Sequence, residues 1–235
     1  MDQLHGQQLH QLIASFTGKM FRDHFGKGPE SVIVSINHKF ITIYLKNFLI
    51  PTERVLLQQN QELMIRQIRS RMMRQIIPEL RSYLGDVLQE YPEEILYDWD
   101  YESRNGMLVA LFPNILECGD TAVKAYRGRL EIERELMRIS GRIQQEPAEI
   151  SSYEINPRTW LVVRSGILGD LEKELIRMEL GDLLGDVKRR LEKSYIKDSP
   201  VISSVLSRSI ADCFIDWDYA RDRSITVITT HPPRS

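Results

Sequence analysis

The chain has 235 residues, a formal net charge of −2, and 42% hydrophobic against 27% charged residues. That balance excludes a disordered or fibrous chain, and the lack of a basic excess argues against a dedicated nucleic-acid binder. No apolar run of about 18 residues is present, so no segment is expected to span a bilayer, and Met1-Asp2-Gln3-Leu4-His5 has no signal-peptide pattern. A cytoplasmic protein, at most peripheral to a membrane, is the expectation. Two cysteines, Cys118 and Cys213, sit at unrelated places and suggest buried small hydrophobes, not a disulfide framework or a zinc site.

In chain order, Leu9, Leu12, Ile13, Phe16, Met20 and Phe21 recur at spacings of three and four, which predicts a helix ended by Gly26-Lys27-Gly28-Pro29. Ser31 to Ile36 and Phe40 to Leu45 are rich in Val, Ile, Thr and Tyr and predict a hairpin, with Asn37 taking the left-handed conformation in its turn. Pro51-Thr52-Glu53 starts a long helix, with either Thr52 as N-cap or Pro51 in the first turn. Ile65, Ile68, Met72 and Ile76 form its predicted apolar stripe, and Pro78 is expected to kink or end it before a second piece from Glu79 to Leu88. Strands near Ile95 to Tyr101 and Met107 to Phe112 follow.

The same order then returns. A helix is predicted from Thr121 to Gln144, and strands from Glu149 to Ile155 and Thr159 to Arg164 flank Asn156-Pro157-Arg158. A helix from Gly169 to Tyr195 is expected to be interrupted by Gly181 and Gly185. A short helix over Ser199 to Ser209 and strands near Cys213 to Tyr219 and Ser224 to Thr229 complete the series. One tetrapeptide ties the halves together, Asp98-Trp99-Asp100-Tyr101 and Asp216-Trp217-Asp218-Tyr219, in a chain with only three tryptophans. The reading is an α+β protein of two α-β-β-α-β-β units, residues 1–115 and 116–235, with antiparallel sheets and helices on one side, forming an internal pseudo-dimer.

Alternation along the repeated strand puts Trp and Tyr on one face and the acids on the other. Asp98, Asp100, Asp216 and Asp218 are therefore the candidate oxygen ligands for a hard cation, against the plainer reading of a wet face, or one paired with nearby Arg. Lys27, in its Gly-Lys-Gly-Pro turn, is a weak anion-loop candidate that lacks the phosphate-loop spacing. Arg66, Arg69, Arg71 and Arg74 read as a solvated helix flank, with Arg66 and Arg74 the candidates for contact with RNA, an acidic partner or lipid head groups. Lys188, Arg189, Arg190 and Lys193 read as ordinary intrahelical partners of nearby glutamates. The five histidines have no chelating spacing. Sequence nominates no catalytic residue, metal ligand or cofactor site, and a non-enzymatic role is expected.

The run Gly26-Lys27-Gly28-Pro29-Glu30-Ser31-Val32, the short hairpin and Leu49-Ile50-Pro51-Thr52-Glu53-Arg54 together resemble the MpsC-type family. The second half shares the element order and the Asp-Trp-Asp-Tyr strand but lacks both the glycine-lysine turn and the Pro-Thr-Glu start. The resemblance implies an accessory or regulatory protein working with a membrane transport partner for ions or inorganic carbon. A cation or small-ligand sensor built on the acidic strands, and an RNA-associated regulator, are the alternatives.

Overall fold

The computed structural model describes residues 6–116 and 126–232. His5, Cys118 and the first residues of the helix predicted from Thr121 lie outside the described residues. By contacts the chain divides into Met1–Ile95 with Trp99–Ala122, and Leu96–Asp98 with Val123–Ser235.

The first unit opens with α1 (Gly6–Phe25), whose Leu9, Ile13, Met20 and Phe21 are buried on one face. Gly26 ends it at φ 71°, the left-handed conformation that costs glycine least. The hairpin of β1 (Ser31–Asn37) and β2 (Phe40–Lys46) turns on His38-Lys39. The left-handed residue is His38, at φ 54°, and not Asn37, whose backbone still pairs with Phe40. Beyond β2 come α2 (Pro51–Gln58), α3 (Glu62–Leu88), β3 (Glu94–Asp100) and β4 (Asn105–Leu111). The sheet order is β1-β2-β4-β3, antiparallel where β2 meets both β1 and β4.

The second unit repeats the pattern with α4 (Arg129–Ile143), β5 (Glu149–Asn156), β6 (Thr159–Ser165), α5 (Asp170–Arg177), α6 (Gly181–Lys197), α7 (Pro200–Leu206), β7 (Ile210–Asp218) and β8 (Arg223–Thr230). Its sheet has the same order, β5-β6-β8-β7, and every pairing in it is antiparallel. Ile132, Leu136 and Ile139 of α4 pack with Trp160, Val162, Cys213, Ile215 and Ile228 of the sheet and with Ile196 of α6 in one buried cluster.

Two expectations about the long helices are corrected. The first helix breaks at Gln59–Gln61, where Asn60 turns left-handed at φ 57°, and α3 then runs unbroken through Pro78. A proline forfeits one helical hydrogen bond, and here the helix continues through that loss. In the second unit the break falls at Met178–Leu180, with Glu179 at φ 61°, and Gly181 opens α6 instead of interrupting it. The α3 stripe is also shifted: Ile65, Arg69, Met73 and Ile76 are buried, while Ile68 is 41% exposed. The acidic face of β3 is not wet either, because Asp98 and Asp100 are both buried.

Gly106 shows how tightly the first sheet receives its tryptophan. A Cβ built there would lie 2.3 Å from Cζ3 of Trp99, well inside any tolerable contact. Gly106→Ala is expected to force the indole off the sheet and to lower unfolding free energy by about 1–3 kcal/mol, read from the urea midpoint at unchanged m-value.

Candidate functional site

A buried cation lies on the tryptophan of the repeated strand in each unit. In the first, Pro51 occupies the opening turn of α2, which places Glu53 to reach back to the N–H of Ile50 at 3.0 Å. The same carboxylate accepts two bonds from Arg69 of α3, Nε to Oε1 at 2.7 Å and a terminal nitrogen to Oε2 at 2.6 Å. Arg69 also donates to the carbonyl of Phe48 at 2.9 Å. Its guanidinium centre lies 4.3 Å from the Trp99 ring centroid, 4.9 Å from Phe48 and 5.5 Å from Tyr101. Arg69 is 1% and Glu53 2% exposed. A planar fork meeting a carboxylate edge-on, with aromatic rings covering the cation, is the geometry in which a fully desolvated pair is tolerated.

The second unit keeps the plan and changes the chemistry. Leu45 pairs with Gly106 across the first sheet, and the same register in the second pairs Arg164 with Ser224, which in turn faces Trp217. Lys188 of α6 takes the position of Arg69, and Glu172 of α5 that of Glu53. Lys188 is 3% exposed, with Nζ 5.5 Å from the Trp217 centroid, and no hydrogen-bond partner reaches it among the described residues. Burial pulls its pKa down to about 8, against the opposing fields of Glu192 and Glu172. Where the first unit packs Leu45 and Met73, the second buries an ion pair, Arg164 to Glu192 at 2.7 Å, with both side chains fully enclosed and Thr226 Oγ1 3.2 Å from the guanidinium. Tyr219 lies against the small face of α6, where a Cβ on Gly185 would stand 3.0 Å from its hydroxyl.

The acids nominated from sequence do not gather on one point. Asp98, grouped with the second unit, pairs with Arg189 at 3.0 Å and Lys193 at 2.6 Å and accepts the N–H of Ile215 at 2.9 Å. Asp216 pairs with the same Arg189 at 3.1 Å and accepts the N–H of Tyr97 at 3.0 Å. Each of the two acids therefore caps the residue preceding the other. Burial pushes Asp216 up to about 6 against the pull of Arg189, although its side chain keeps 21% of its surface exposed. Asp100 accepts the N–H groups of Glu102 and Ser103 in the turn after β3, and Asp218 accepts from Arg221. Among the described residues no group of three or more His, Cys, Asp or Glu side chains is placed to hold a metal ion. Lys27 donates to the carbonyl of Leu49 at 3.1 Å, Arg66 pairs with Glu62 and lies over Tyr101, and Arg74 is exposed on α3. Cys213 is fully buried, and its thiol is pushed up to about 12.

Sequence reasoning passed over Arg69 and Lys188 because it placed both among solvated helix charges. The signal was present in the spacing: Arg69 falls four residues after Ile65 and four before Met73, in phase with the residues that do bury. Arg164 had the same kind of signal, an inward position in a strand of otherwise apolar inward residues.

Two antiparallel α+β units, each with a buried cation held on a strand tryptophan, and no helix among the described residues long and apolar enough to cross a membrane, define the class of protein. Residues 5–114 match the family model described as Na+-translocating membrane potential-generating system (MpsC). That stretch, which holds the Arg69 site, is similar to the MpsC family. No curated protein and no solved structure matches it.

Two outcomes test the cation sites. Arg69→Met leaves Glu53 buried and unpaired and is expected to cost about 3–5 kcal/mol, whereas the double change Arg69→Met with Glu53→Leu recovers most of that loss; chemical denaturation of the three proteins distinguishes pair from packing. For Lys188 the folded pKa lies below the usual lysine value, so its ionisation opposes folding. That penalty is complete below about pH 8 and is relieved as pH rises from 8 towards 10.5, so Lys188→Met should stabilise at pH 7 by up to about 3 kcal/mol and lose this advantage near pH 10.5. Paired melting curves across that range check the sign.

Proposed function

We propose that the protein is a non-enzymatic accessory component of a membrane potential-generating system, docking on a membrane-embedded partner that moves ions or inorganic carbon. The observation that carries this reading is an outward stripe found on the long helix of both units. On α3 it is Met64, Ile68, Arg71 and Met72, and on α6 it is Leu183, Val187, Arg190 and Leu191. Met64 is 47% exposed, Ile68 41%, Leu183 55% and Leu191 40%, and both arginines face outward. Tyr195 and Leu180 extend the line on α6.

The two interiors differ sharply, in Arg69 against Lys188 and in Leu45 and Met73 against Arg164 and Glu192. The outward stripes are alike. Core residues answer to packing, while an exposed apolar row brings the fold no burial and marks a contact surface. A repeated apolar row edged by arginine suits an apolar partner helix with an acidic rim, such as a cytoplasmic segment of a transport subunit. The acidic strands support the alternative of a cation sensor less well, because Arg189 already stands between Asp98 and Asp216.

The test is a crosslinked pull-down of the full chain from its own cells with membranes retained, compared with the double variant Ile68→Glu, Val187→Glu. Near-stoichiometric recovery of transport subunits by the native chain, reduced about tenfold or more in the variant at unchanged circular dichroism, is the expected result. Recovery of no specific membrane protein would sink the accessory reading, and undiminished recovery by the variant would move the contact elsewhere.

A further inference from the structure

The second unit holds an unusual set of polar atoms. Lys188 Nζ, Arg164 Nε, Trp217 Nε1, Tyr219 Oη and Ser224 Oγ are all buried, and none has a hydrogen-bond partner among the described residues. They belong to one layer. Arg164, Ser224 and Trp217 lie side by side across β6, β8 and β7. Lys188 stands over Trp217 from α6, and the Tyr219 ring stacks beside that indole at 6.5 Å. All five atoms can donate a hydrogen bond, and the lysine, arginine and indole nitrogens can only donate. Buried donors are normally matched, so five unmatched together in one layer call for an acceptor.

We propose that this layer, beneath α6, is a binding site for a small oxyanion with Lys188 as its recognising cation. The first unit shows the closed form of the same arrangement. There Arg69 is long enough to take both oxygens of Glu53 and the carbonyl of Phe48, Gly106 has no side chain, and Leu45 is apolar. Lysine is shorter and carries no fork, so Lys188 leaves Glu172 without the two-point bond that Glu53 makes. Ser224 replaces the bare glycine and adds a hydroxyl. The neighbouring acids are committed elsewhere: both oxygens of Glu192 face Arg164, and Oδ1 of Asp222 accepts the N–H groups of Ile167 and Leu168. The fields of Glu192 and then Glu172 act on the ammonium, and Glu172, 8% exposed and outside the Arg164 fork, is the rival a variant can remove. Tyr219, half-buried in the turn after β7, packs its ring and hydroxyl against Gly181 and Gly185 of α6.

The experiment uses the full chain with inorganic phosphate, sulfate, nitrate and acetate, read by titration calorimetry and by melting temperature at constant ionic strength. At least one anion is expected to bind with one-site stoichiometry and to raise the melting temperature. Lys188→Arg should rebuild the closed pair with Glu172, keep the fold and weaken that anion by about tenfold or more. Glu172→Gln removes the rival carboxylate and should tighten it. No anion-specific stabilisation in the native chain overturns the proposal, and so does binding that is undiminished in Lys188→Arg. Tetrahedral against planar preference in the panel then defines the oxyanion class.

Discussion

The contact of Arg69 with Glu53 over the Trp99 ring organises the first unit, because it joins three elements that no continuous stretch of chain could bring together. Glu53 comes from the first turn of α2, Arg69 from the inward face of α3 and Trp99 from β3. Desolvating both charges is costly, and the geometry offsets that cost with a two-point bond, a carbonyl acceptor and aromatic cover on the guanidinium. Such a pair contributes little net stability over an apolar substitute. It does fix how α2 and α3 sit on one another, since any sliding of α3 past α2 breaks both bonds at once.

The second unit keeps the backbone plan and relaxes that constraint. Lysine replaces arginine, serine replaces the glycine that lets Trp99 lie flat, and a fully enclosed Arg164–Glu192 pair replaces a leucine and a methionine. The fold accepts these exchanges because each occurs in the layer between the long helix and the sheet, where a change of one side chain is met by its neighbours and not by the backbone. Arg164 and Glu192 are a matched pair for the same reason: either charge alone in that place would be prohibitive. The two units thus share topology and register while differing in the part of the interior where polar chemistry is possible.

Much of this architecture was legible in the sequence. Strand positions, the hairpins and the doubled element order followed from β-branched runs, turn residues and the repeated Asp-Trp-Asp-Tyr, all of which act locally. The helix breaks were less accessible. Pro78 is the stronger textual signal, yet the chain breaks at Asn60, because there the break lets Glu53 fold back toward Arg69. That is a tertiary gain, and no window of local sequence contains it. The buried charges were misjudged for a related reason: a lone arginine on a helix is usually solvated, and only its phase with Ile65, Met73 and Ile76 shows otherwise. The carboxylates of the repeated strand were singled out as candidate cation ligands, against a wet or Arg-paired face. Their partners, Arg189 and Lys193, come from a helix far along the chain, and strand alternation has nothing to say about them.

The left-handed turn at Asn60 has a consequence in plain length. Glu53 and Arg69 are sixteen residues apart, and on one uninterrupted helix they would stand about 24 Å from each other along its axis. They meet at 2.6 Å only because the chain reverses between them. Glu172 and Lys188 have the same separation, with the reversal at Glu179. The residues at these bends therefore act as rulers. A stronger helix former there would lengthen the rod and carry the acid out of reach of its cation, with no atom of the charged cluster itself altered.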